Sequence, residues 1–394
     1  MISVAEAKKI IQDNTQLLSS SKLPLAESIG LTLADDVFAI TAVPPFNQSS
    51  VDGYTFSFKE WQSNKKLKIS GAIPAGSKNP VTLPPYHAIR IFTGAPVPGG
   101  ADTVVMQEKV TIENNELIIH DESLVAGNNF RKKGSEIQVN SIALEKDTVL
   151  SPAAIGFLAN VGHAAVTVYP NPSISIIITG NELQQPGNPL QYGEVYDSNS
   201  STLISVLHQL NLNKVEVVYV IDKTELITEA LAKALQKSDV VLLTGGVSVG
   251  DYDFVLQGAT ACGVQKFFHK VKQRPGKPLY FGKKENKLVF GLPGNPASVL
   301  TCFYQYVTLA LGKMSRRKKI LQTIRAPLAK TFQKNTNLTH FLKGYYDGKS
   351  AMPLDAQESF RLSSFAKANC LIQIDEDVTI SKEGELVDIH LLPG

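Results

Sequence analysis

The chain has 394 residues, of which 43% are hydrophobic and 19% charged, and a formal net charge of +3. That length exceeds one ordinary core and predicts two to four domains, and so mild a basic bias suits anionic small ligands rather than nucleic acid. Cys262, Cys302 and Cys370 are far apart with no Cys-x-x-Cys pair, which supports neither a zinc knuckle nor a disulfide framework; no run reaches membrane-spanning length and the first residues lack a signal peptide's apolar core, so the expectation is a reduced, soluble, cytoplasmic protein.

Ser3-x-x-Glu6 is a capping box that predicts a helix to about Asn14. From Pro44 to about Gly134, Gly and Pro punctuate short β-type runs, which predicts a mostly β module with many turns. Residues 151–162, SPAAIGFLANVG, return to helix. From 173 the texture becomes regular. SISIIIT (173–179) is a β-branched run suited to a strand buried on both faces. A helix over 198–210 with a cap signal at its start, a strand over 215–220, a helix over 224–236 with Thr224 as its cap, and a buried strand over 239–244 follow. Such βαβαβ order predicts a parallel sheet with right-handed crossovers. Residues 295–311 form a closing helix with Pro296 in its first turn. The four cations Arg316, Arg317, Lys318 and Lys319 behind it are expected to be a solvated helix end. Beyond about Arg325 the chain is β again.

In an open parallel sheet, ligands sit outside the carboxyl ends of the strands. Those ends carry Thr179, Gly180, Asn181 and Glu182, then Asp222, then Gly245, Gly246 and Ser248 with Asp251 and Asp253, then Pro293, Asn295 and Pro296. The glycines would let backbone N–H groups approach a phosphate. Glu182, Asp222 and Asp253 would repel it unless a divalent cation lay between, so the set points to a nucleotide or pyrophosphate with Mg²⁺. Two related stiff phrases, RPGKP (274–278) and LPGNP (292–296), add a second feature. Proline fixes φ and glycine permits close backbone approach. Lys270, Lys272, Arg274 and Lys277 supply cations, and Asn295 and Ser298 neutral donors, as a compact multi-oxygen anion needs. In the β module, Ser49, Ser50, Asp52 and Tyr54 are polar handles beside Gly53, and Thr93 stands in a stiff Gly-Ala-Pro turn; alone, each reads as a structural turn. The seven histidines are scattered and read as surface or packing residues.

Together the stretches SSVDGY, GAIPAG, IRIFTGAPVPGGADTVVMQE, ITGNELQQPG, GEVYDSNS, TGGVSVGDYDF, RPGKPLYFG and GLPGNPAS resemble, in order and over nearly the whole chain, the MoeA family, the molybdenum-insertion enzymes that include the E domain of gephyrin. The resemblance implies a multidomain α/β plus β fold in four parts. These are a discontinuous helical and extended part (1–43 and 136–170), a β module (44–135), a molybdopterin-binding α/β domain like that of the MogA proteins (171–314), and a β-barrel-like C-terminal domain (315–394). It also implies an elongated homodimer that takes adenylylated molybdopterin and molybdate, with Mg²⁺, to molybdenum cofactor and AMP. A MogA-type adenylyltransferase and molybdoenzymes are the implied partners. On this reading Glu182, Asp222 and Asp253 hold the metal, with Asp253 also catalytic. Gly245, Gly246 and Ser248 cradle the pterin phosphate side, Lys277, Pro278 and Ser298 form the molybdate pocket with Lys270, Arg274, Pro293, Asn295 and Pro296 about it, and Asp52 and Thr93 reach in from the partner subunit. Asn181 and Glu136 stand where family members often carry Asp, and Leu338 where an arginine is expected; Lys343 or Arg361 are the candidate substitutes. Two alternatives stay open, a CinA-like nucleotide hydrolase sharing the α/β part and a non-catalytic gephyrin-like scaffold, as does preference for molybdate or tungstate.

Overall fold

The structure is a computed structural model that describes residues 1–245, 254–317 and 320–393. It divides into two compact units: Met1–Ser21, Gly30–Thr32 and Val168–Gly394 form the first, and Lys22–Ile29 with Leu33–Thr167 the second.

The first unit is built on a six-stranded sheet in the spatial order Val215–Val220, Ile174–Thr179, Val240–Thr244, Lys287–Leu292, Pro278–Lys284, Gln265–Lys270. The first four strands pair in parallel, and Pro278–Lys284 is antiparallel to both its neighbours. Ile174–Thr179 is buried at every position, as its β-branched run predicts. Val215–Val220 differs: it is the edge strand and no residue of it is fully buried, because only one neighbour and one helix layer cover it. The register aligns Thr179 with Val220, Ile178 with Thr244, and Thr244 with Leu292. The residues that follow these strands therefore leave from one edge of one sheet.

Three helix expectations need correction. Thr224 is the first residue of helix Thr224–Lys237 rather than its cap, and its hydroxyl donates to Gln257 Oε1 at 3.0 Å. Ser198 stands before helix Asn199–Gln209, yet its side chain caps nothing. The buried Asp197 carboxylate accepts instead from the N–H groups of Asn199 (2.9 Å) and Ser200 (3.2 Å) and from the Ser200 hydroxyl. The closing helix runs Pro296–Cys302, widens into a π-helical turn over Phe303–Val307, and resumes over Thr308–Met314. Behind it Arg317 is not a solvated end. Its guanidinium donates to Leu210 O and Asn171 Oδ1, both at 2.8 Å, because it closes backbone groups left open at the end of a neighbouring helix. Lys318 and Lys319 lie outside the described residues.

Helix Val4–Asn14, with its Ser3–Glu6 capping box in place, buries Val4, Ala7 and Ile11 in this unit's main core. A second sheet, in the order Gln273–Arg274, Thr339–Tyr346, Cys370–Ile374, Leu386–Leu391, Gln322–Pro327, has its own core of Ile372, Ile374, Ile389 and neighbours. Gln273–Arg274 pairs in parallel with Thr339–His340, so the RPGKP turn starts in this second sheet and ends in the first.

The second unit carries a six-stranded, mostly antiparallel sheet ordered Thr103–Met106, Gly53–Phe56, His87–Ile91, Leu67–Ile73, Glu116–Ile119, Val110–Glu113. Gly53 is needed there, since a Cβ would sit 1.8 Å from Val105 O on the paired strand. Of the polar handles expected beside it, Ser49 and Tyr54 are buried. Ser49 closes a local turn through its 2.6 Å bond to Val51 O, so these two serve packing.

Candidate active site

The two stiff phrases meet. A cavity of about 810 Å³ is lined by Arg274, Pro275, Gly276, Lys277 and Pro278 from one and by Pro293, Gly294, Asn295, Pro296 and Ser298 from the other. Glu182, the Val195–Asn199 stretch, Leu338 and residues 357–360 complete its walls.

Each turn is held from below. The RPGKP turn needs glycine at 276, where φ is +82° and a Cβ would come within 2.5 Å of Cys302 Sγ. The fully buried Gln273 amide donates to the carbonyls of Pro275 (3.1 Å) and Gly276 (3.0 Å), and its oxygen accepts from the Tyr306 hydroxyl. Tyr306 stands on the π-helical turn, so the irregular backbone there carries the prop of the cavity's cationic wall. Burial pushes the Cys302 thiol up to about 12, so it stays a neutral packing group. The LPGNP turn is tied through Asn199, whose amide donates to Gly294 O at 2.9 Å, and through Asn295, which donates to Ser359 Oγ at 2.9 Å. Asn199 is in turn fixed by the Asp197 cap. Neither residue was singled out from the sequence as a site residue; the signal was the Tyr-Asp-Ser-Asn phrase, in which the serine masked the true cap.

Arg274 and Lys277 are exposed at the cavity and make no ion pair among the described residues. They are its free cations. Leu338 lines the wall and contributes none. The two proposed substitutes do not fill that place. Lys343 is buried, and its ammonium donates to the carbonyls of Ala356 (2.6 Å), Glu358 (3.2 Å) and Arg361 (3.0 Å), so it shapes the 356–361 wall from behind. Arg361 pairs with Glu358 at 3.1 Å and does not line the cavity. Lys270 ends the strand Gln265–Lys270 and also lies outside the lining.

On the metal side, Glu182 lines the cavity, and Asp222 follows the neighbouring strand. The Asp222 carboxylate accepts from the Thr179 hydroxyl, and its N–H donates to Asn181 Oδ1 at 3.0 Å. Asn181 thus keeps an acceptor role while removing a charge. Gly245 has φ +83° and a Cβ there would lie 1.9 Å from Thr179 O, so the strand end admits only glycine. Gly246, Ser248 and Asp253 lie outside the described residues. Among the described residues no group of three His, Cys, Asp or Glu could hold a metal ion. Asp222 does not line the cavity that Glu182 lines; Mg²⁺ needs only one or two carboxylates, together with waters and substrate phosphates.

In the second unit Thr93 donates twice to Asp52 Oδ1, from its N–H at 2.8 Å and its hydroxyl at 2.9 Å. These bonds hold the exposed Asp52 carboxyl below its ordinary range, so the pair presents a fixed anion.

An open α/β sheet with a cation-bearing cavity at its carboxyl edge is an arrangement suited to oxyanion-bearing small molecules. Matches to known proteins narrow the class. Residues 2–162 match the MoeA N-terminal region (domains I and II), residues 175–313 a probable molybdopterin binding domain, and residues 325–392 the MoeA C-terminal region (domain IV). A molybdopterin molybdenumtransferase from Haemophilus influenzae is 31% identical over 404 residues, covering all of both chains. One from Staphylococcus epidermidis is 32% identical over 99% of this chain and 95% of its own. A solved MoeA protein from Pyrococcus horikoshii superposes with a TM-score of 0.78 at 28% identity and full coverage of both chains. The chain belongs to the MoeA family, and with it to the transferase enzymes. Full-length agreement is not what a CinA-like hydrolase sharing only the α/β part predicts.

Proposed function

We propose that this protein inserts molybdenum from molybdate into adenylylated molybdopterin, giving molybdenum cofactor and AMP. The observation that carries the reading is the cavity in which both stiff turns converge with two unpaired cations. Molybdate is a dianion of compact, tetrahedral shape. Lys277 and Arg274 offset its charge, while the backbone of two rigid turns and the Ser298 hydroxyl offer neutral donors that hold it without trapping it. Glu182 and Asp222, with Asp253, are the residues that would hold Mg²⁺. Bound there, the cation would neutralise charge between carboxylates and pyrophosphate oxygens. The constrained Gly245 turn brings backbone close to the phosphate side, and Glu182 stands where both ligands meet.

The homodimer is part of the same proposal. Asp52, kept ionised by Thr93, is the group that would orient water or substrate in the partner's site. The test is direct: purified protein, adenylylated molybdopterin, molybdate and Mg²⁺ are incubated, and AMP and active cofactor are assayed together. Stoichiometric AMP and cofactor support the reading. A scaffold without catalysis would release neither, and a nucleotide hydrolase would release AMP with no dependence on molybdate.

A further inference from the structure

Away from that edge, along the C-terminal half of the closing helix, lies a second cavity of about 520 Å³. Lys8, Lys313 and Arg317 line it, and no Asp or Glu does. Lys8 donates to Gln305 Oε1 at 2.8 Å and makes no ion pair among the described residues. Asp388 and Asp375 lie near enough to favour its charge, but Asp388 is turned to Arg325 at 3.8 Å and Asp375 accepts from Gln373 at 2.7 Å. Among the described residues the Arg317 guanidinium meets only neutral acceptors. Two buried donors of this wall have no partner among the described residues, Gln305 Nε2 and Arg317 Nε. Gln305 is 2% exposed and stands on the π-helical turn, next to the Tyr306 that props the first cavity. His390, on the same wall, is occupied at both ring nitrogens by Thr323 and Gln373. Lys313 donates to Gln12 O, Gln12, Tyr304, Thr308 and Thr323 add polar lining, and Leu309, Ile320 and Leu321 form an apolar stretch of the wall.

Buried donors without acceptors and cations without carboxylates are both deficits of the same kind, and one bound anion removes both. We infer that this cavity is a second ligand site, for a small molecule with an oxyanion head, carboxylate or phosphate, and an apolar body. The head meets Lys8, Gln305 and Arg317, and the body rests on Leu309, Ile320 and Leu321. The site is independent of the molybdate reading, since none of its residues belongs to the first cavity.

The probe is phenyl phosphate, titrated calorimetrically into the full-length protein beside inorganic phosphate. Binding should be saturable, and severalfold tighter for phenyl phosphate, because only it fills the apolar wall. Lys8→Met should weaken it at least tenfold, as expected for loss of a charge-assisted hydrogen bond. Lys277→Ala, which removes any phosphate held by the first cavity, should leave the Lys8-dependent step of the titration unchanged. Thermal midpoints of both variants establish that each is folded. Absence of binding, equal affinity for the two phosphates, indifference to Lys8→Met, or loss of the Lys8-dependent step with Lys277→Ala would each overturn the assignment.

Discussion

Asp52 and Thr93 show how a single pair sets a charge. The two hydrogen bonds from Thr93 depress the Asp52 pKa, so their stabilisation is present above the ordinary value of 3.8 and is lost as the pH falls through the lower folded value. Thr93→Val removes the hydroxyl but keeps the N–H. Carboxyl-carbon NMR titration should then find the Asp52 pKa raised part of the way toward 3.8, and an unmoved value would show that the hydroxyl contributes nothing. Lys8 is the opposite case. Burial pushes its pKa down to about 8 from 10.5, so the folded state holds fewer protons between those values. The destabilisation is full below pH 8 and fades as the pH rises toward 10.5. Lys8→Met is expected to raise unfolding stability by roughly 1–3 kcal/mol at pH 7, with a smaller gain at pH 10. Urea denaturation at the two pH values measures this, and a gain that does not shrink would contradict the account. At this scale the sequence was least legible. Leu338, Lys343 and Arg361 are a leucine and two cations in any reading, and only burial and three carbonyl contacts reveal that Lys343 is a brace rather than a ligand.

At the scale of elements, the cavity is two turns and the groups beneath them. Gly276→Ala combines a left-handed backbone with a 2.5 Å approach to Cys302 Sγ. It should lower stability by roughly 1–3 kcal/mol and weaken molybdate binding with it. Adding Cys302→Ala should restore part of the stability, since it removes the clash but not the backbone strain. Asp197→Ala should cost about 0.5–2 kcal/mol through the lost cap and loosen the LPGNP turn through Asn199. Differential scanning calorimetry reads both, and an Asp197→Ala protein of unchanged stability would refute the cap's role. The regular elements were legible because burial on two faces leaves a continuous apolar run, as in Ile174–Thr179. The turns were legible as stiff phrases because proline and glycine act locally. Their props were not: Gln273 and Tyr306 are 33 positions apart, and nothing local marks that contact.

For the whole molecule, the family reading accounts for chain length, the paired sheets and the placement of the site at a parallel sheet's edge. The proposed dimer makes its own prediction. Subunits carrying Asp52→Ala and Asp253→Asn, each inactive in AMP release, should regain activity when mixed and exchanged, because one site in the mixed dimer is then intact. No recovery after confirmed exchange would argue for a site built within one chain. The central claim, that RPGKP and LPGNP jointly hold the oxyanion with Lys277 as its main cation, is tested most directly by affinity. Lys277→Ala is titrated with molybdate and, separately, with adenylylated molybdopterin. Loss of a charge-assisted bond worth about 1.5–3 kcal/mol predicts molybdate affinity reduced on the order of tenfold or more, with the pterin nucleotide changed far less. Equal losses for the two ligands, or a loss for the pterin nucleotide alone, would contradict it.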